Sequence, residues 1–92
     1  MNITFEYFGQ LGMIAGKRKE EKEFSDGTAV EEMISREAER YGADFKNIVL
    51  DENGRIRPSV MVVVNDEAVD TGVTVPAVDG QTVKLIPAIA GG

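Results

Sequence analysis

One segment of this chain is written for a helix, and it stands between segments written for strands. Thr28 followed three places later by Glu31 has the form of a capping box, and Asp26-Gly27 supplies a turn ahead of it. Val30, Met33, Ile34, Ala38 and Tyr41 then recur at helical spacing, with Gly42 as the stop. A lone amphipathic helix cannot bury its stripe against itself, so a sheet must form the other wall. The expected architecture is therefore an α+β layer pair. At 92 residues the chain makes one small domain with a modest core.

The strands are read from period-two alternation and from turn residues. Asn2 to Phe8 alternates, with Ile3, Phe5 and Tyr7 on the core side and Thr4, Glu6 and Phe8 on the other. Gln10 to Ala15 is short and mostly apolar; it suits one or two helical turns closed by a left-handed Gly16. Lys17 to Glu23 carries only charged residues, as a solvated edge strand would. Ala43 to Ser59 reads as a connection holding a small apolar island, Ile48 to Leu50, and a turn at Asp51-Glu52-Asn53-Gly54. Val60 to Val64 is continuously apolar, which predicts a central strand covered on both faces. Asn65 to Glu67 turns the chain, and Ala68 to Val75 is a weaker extended stretch broken by Gly72. Asp79-Gly80 then launches Val83 to Ile86 as the last strand, which Pro87 ends. These segments predict four or five strands.

Composition excludes several function classes. With no histidine and no cysteine, the usual proton shuttle, thiolate nucleophiles and sulfur-ligated zinc are all absent. A net charge of -6 repels phosphate backbones and anionic membranes, and favours a basic protein surface as partner. No apolar run approaches a membrane span and no signal peptide is present, which places the expected location in the cytosol. The Asp51 to Gly54 turn lacks the register of a calcium loop, so no metal site is expected. Neither a P-loop nor a dinucleotide fingerprint occurs, and Ser25, Ser35 and Ser59 have no histidine to activate them.

What remains is the carboxyl end, where Pro87, Ala88, Ile89, Ala90, Gly91 and Gly92 form a slim uncharged tail leaving the last strand. At average glycine usage of about 7%, two terminal glycines arise by chance in roughly 0.5% of chains, which weakens the reading as a frayed end. Glycine lets a backbone thread a narrow passage with no Cβ to clash. A carboxylate delivered that way can be activated inside another enzyme as an acyl-adenylate. The chain would then be substrate rather than catalyst.

The span Asp79-Gly80-Gln81-Thr82-Val83-Lys84-Leu85-Ile86-Pro87 through Gly91-Gly92 resembles the carboxyl end of the MoaD and ThiS sulfur carriers. Tyr7-Phe8-Gly9-Gln10-Leu11 through Gly16 resembles the first strand and short helix of the MoaD branch, and Val62 to Asn65 its central strand and turn. Leu50 to Pro58 resembles an insertion of archaeal-type MoaD relatives and of the carrier for bacterial cysteine synthesis. Ala88 stands where family members often carry a second proline, and Asp70 to Asp79 departs from their usual sequence.

The resemblance implies a ubiquitin-like β-grasp fold, with first and last strands adjacent at the centre of a mixed sheet. It divides the chain into a domain over 1–87 and a flexible tail over 88–92. It also implies a cycle in which a ubiquitin-activating-type enzyme uses ATP to adenylate Gly92, a sulfur donor makes the thiocarboxylate, and an acceptor such as a molybdopterin synthase large subunit removes the sulfur. No cofactor is bound by the carrier itself, and it is a monomer when free. Gly91 and Gly92 are the reactive end. Phe8, Ala68 and Ile86 form the apolar contact surface, with Pro87, Ala88, Ile89 and Ala90 threading the partner. Molybdopterin is the expected destination of the sulfur; cysteine, thiamine or thiolated tRNA, or conjugation to lysines, are the alternatives.

Overall fold

The computed structural model describes residues 1–70 and 74–88. Its elements run β1 (Asn2–Tyr7), α1 (Gln10–Ala15), β2 (Lys19–Glu23), α2 (Val30–Tyr41), α3 (Ala43–Val49), β3 (Val60–Val64), β4 (Glu67–Ala68) and β5 (Thr82–Pro87). The sheet order is β2-β1-β5-β3-β4, with β1 and β5 parallel at the centre and the other pairs antiparallel. This is the β-grasp arrangement, with the helices packed on one face.

Alternation decides that face. Ile3, Phe5 and Tyr7 of β1, Val60, Val62 and Val64 of β3, and Val83 and Leu85 of β5 are buried, together with Val30, Met33, Ile34 and Ala38 of α2. Tyr41, the last residue of the predicted stripe, is half-buried at its edge. Gly16 caps α1 in the left-handed region at φ 76°, as its position predicts. Gly12 has a different reason: a Cβ there would lie 3.0 Å from the Tyr7 carbonyl oxygen, so its absence lets α1 close against the end of β1.

The predicted capping box does not form. The Thr28 hydroxyl instead donates to the Ser25 carbonyl at 2.8 Å, closing the preceding turn, and α2 begins one residue later with Ala29 as N-cap. The free N–H at the helix start is satisfied from a distant segment, Val30 donating to the Val75 carbonyl at 3.1 Å. Glu31 turns the same way, its carboxylate accepting from the Val75 N–H at 3.4 Å.

Two further readings are corrected. The supposed connection after Gly42 contains α3, whose Phe45 and Val49, four residues apart on one face, are fully buried. Val60 to Val64 is an inner strand, between β5 and β4, but it is not covered on both sides: Met61 is 53% exposed on the outer face. The turn at Asp51 does form. Asp51 Oδ1 accepts from the N–H groups of Asn53 and Arg55 at 2.8 and 3.0 Å, and Leu50 bridges to Ile56. Those backbone donors, Arg55 first, hold the Asp51 carboxyl below its ordinary range. Glycine 72 and its neighbours, 71–73, lie outside the described residues.

Candidate functional site

The outer face of the sheet is built by the residues that alternation leaves over. Glu6, Lys84, Val63 and Ala68 occupy matched positions across β1, β5, β3 and β4. Two residues toward the end of β1 and β5, a second row contains Ile86 opposite Met61. Phe8 extends that row: it follows β1 directly, its N–H donates to the Leu85 carbonyl at 3.1 Å, and the parallel register places it beside Ile86. Phe8 and Ile86 are half-buried, while Met61 and Ala68 are exposed. Phe8, Ile86 and Ala68 thus stand on one face, as expected, and Met61 belongs with them although the sequence reading put it under cover. Its signal was hidden because every residue from 60 to 64 is apolar, so alternation had no polar partner to reveal the outward side.

The row ends where the chain leaves the sheet. Pro87 is paired opposite Val60, and the Ala88 N–H donates to the Ser59 carbonyl at 2.7 Å. That bond is the last described rung, so the direction of the chain is fixed through Ala88. Gly9, at φ 55° and ψ -130°, turns the backbone beside Pro87, in a conformation that favours glycine because it has no Cβ. Ile89, Ala90, Gly91 and Gly92 lie outside the described residues.

The rim of the face is charged. Lys84, in the first row, reaches Asp66 at the β3–β4 turn across 3.4 Å, an exposed pair of little energetic weight, and Glu6 flanks it on β1. Asn65 and Asp66 adopt φ 48° and 69° to turn β3 into β4, and Asn65 fixes the start of β5 by accepting from the Thr82 N–H at 3.1 Å. Among the described residues no cluster of acidic side chains has the form of a metal site, and no helix is long and apolar enough to cross a membrane. The face offers no nucleophile flanked by a base.

A second cluster was not foreseen from sequence. Tyr7, Glu20, Glu37, Arg40 and Tyr41 converge where α2 meets the edge strand β2, with Glu37 buried among them. The charged run over β2 is thus solvated only on its outward side; Glu20 points inward and is largely buried.

The sequence signature of the ThiS family matches residues 5–92. The fold is similar to that of small archaeal modifier protein SAMP1 from Haloferax volcanii, at TM-score 0.86 and 20% identity with 100% of both chains covered. A candidate molybdopterin converting factor subunit 1 from Pyrococcus furiosus is similar at TM-score 0.73 and 26% identity, over 97% of this chain and 99% of that one. A chain of the Amycolatopsis orientalis BexX/CysO complex is similar at TM-score 0.69 and 28% identity, over 98% and 99%. No curated protein sequence matches the chain.

Proposed function

The chain belongs to the ThiS family of ubiquitin-like sulfur carriers, and from that premise we propose that Gly92 carries sulfur as a C-terminal thiocarboxylate. The Gly92 carboxylate attacks the α-phosphorus of ATP within an activating enzyme, releasing pyrophosphate. Hydrosulfide then attacks the acyl carbon, AMP leaves, and loss of the sulfur's proton gives the thiocarboxylate. An acceptor enzyme withdraws the sulfur, and water returns the carboxylate. ATP is consumed by the partner, and the carrier acts in the cytoplasm as a free monomer and protein co-substrate.

The observation that carries this reading is the juxtaposition of the Phe8–Ile86–Met61 row with the chain exit at Pro87 and Ala88. A partner that covers the row is positioned to receive the segment from Ile89 to Gly92. Apolar contact supplies affinity, and the acidic rim speeds encounter with a basic partner. Molybdopterin synthesis is the destination we propose, supported by the likeness to the Pyrococcus protein. The likeness to a chain of the BexX/CysO complex favours a CysO-type acceptor as the second reading. Intact mass spectrometry after incubation with ATP, an activating enzyme and a sulfur source tests the carrier role. The expected change is replacement of one oxygen by sulfur at Gly92; an unchanged mass with several family activating enzymes refutes it. Supplying the loaded carrier to a molybdopterin synthase large subunit then separates the destinations, since failure to yield molybdopterin removes the first.

A further inference from the structure

The cluster beneath β2 contains more oxygens than its visible protons can serve. The Tyr7 hydroxyl lies 2.7 Å from Glu20 Oε1 and 3.2 Å from Glu37 Oε2. A phenol has one proton to donate. The shorter contact assigns it to Glu20, which leaves the Tyr7 oxygen facing Glu37 with lone pairs only. Arg40 Nη1 donates to Glu20 at 2.9 Å and to Glu37 at 3.0 Å, and Tyr41 donates to Glu20 as well. Lys17 adds a contact to Glu20 Oε2 at 3.3 Å. Three donors therefore converge on one oxygen of Glu20, and a fourth on the other, while Glu37, the more buried of the two carboxyls, receives Arg40 and lies within hydrogen-bond reach of the Glu20 carboxyl.

We propose that Glu37 retains a proton in the folded protein and shares it with the Glu20 carboxylate beside the Tyr7 hydroxyl, so that the hydrogen-bonded carboxyl pair joins α2 to β2 and, through Tyr7, to β1, and that losing this proton as pH rises loosens the junction. The groups facing Glu37 are Tyr7 from β1, Glu20 with its partner Lys17 from β2 and the turn before it, and Arg40 and Tyr41 from α2; α3 contributes only the ring of Phe45 against the two tyrosines. Burial first, and then the hydrogen bond and charge of Glu20, push the Glu37 carboxyl above its ordinary value of 4.5, outweighing Tyr7 and Arg40, which pull it down. Burial raises Glu20 as well, but hydrogen bonds from Tyr41 and Tyr7 outweigh it and hold that carboxyl at about 2. The two carboxyls are driven apart, as expected when one proton serves a pair.

The sign follows from linkage. A carboxyl raised in the folded state contributes stability that is complete below its unfolded value and is lost as pH climbs through the folded one. Two measurements on the full chain test the proposal. In a carbon NMR titration the Glu37 carboxyl resonance is expected to move at a pH above 4.5 and above every other glutamate; a midpoint at 4.5 or lower overturns it. The urea midpoint of the unsubstituted chain is expected to fall from about pH 5 to about pH 9, while Glu37→Gln, whose amide keeps a donor toward Glu20 without a proton to lose, stays flat. Parallel profiles overturn the proposal. Should the variant not fold, the resonance of the unsubstituted chain decides.

Discussion

Substituting Met61 by alanine separates docking from folding. Met61 is 53% exposed, so roughly half of the burial free energy of a methionine side chain, about 1 kcal/mol, is already realised in the folded chain and about 1 kcal/mol remains for a partner to gain. The variant should therefore lose at most about 1 kcal/mol of stability in urea denaturation while weakening partner binding about fivefold. Leu85 gives the contrast, because it is fully buried on the opposite face of the adjacent strand. Leu85→Ala should cost about 2–5 kcal/mol of stability, and whatever fraction remains folded should bind normally. Calorimetric titration against the activating enzyme and against the acceptor enzyme reads both effects. Unchanged affinity of Met61→Ala for both partners would refute the assignment of the outer row as the docking face.

Phe45→Ala should destabilise by about 3–5 kcal/mol, because the ring is fully buried and packs edge-on to Tyr7 at a centroid distance of 5.5 Å; a loss under about 1 kcal/mol in urea would mean that α3 is dispensable. Acid should unfold the chain through Glu20. Its carboxyl is held at about 2 against an ordinary 4.5, so its contribution is present above about pH 4.5 and lost as pH falls toward 2. Circular dichroism across that interval should show the decline, and Glu20→Gln should remove it; an identical acid limb in the variant contradicts the role given to Glu20.

The elements most legible in the sequence are those whose signals are local. β1 announces itself by alternation, Gly16 and Gly42 mark their helix ends, and Asn65 with Asp66 makes a turn wherever the strands go. The outward placement of Phe8 and Ile86 was legible for the same reason, since a strand's two sides are fixed by parity, whereas Ala68 came only from the family resemblance. What escaped depends on distant segments. Thr28 has every local mark of a cap, yet Val75 supplies the acceptor that the start of α2 uses. α3 is too short for periodicity to show, and only burial of Phe45 and Val49 reveals it. Glu20 and Glu37 look like surface charges until the fold brings β2 against α2 and Tyr7 of β1 between them, beside Arg40 and Tyr41 of the same helix as Glu37.

The most direct test of the carrier role is ATP–pyrophosphate exchange by a family activating enzyme, measured with the full chain and with a chain lacking Gly92. The account predicts that exchange depends on the carrier and disappears with that single residue, while the shortened chain still binds the enzyme through its outer face. Equal exchange with and without Gly92 would contradict it.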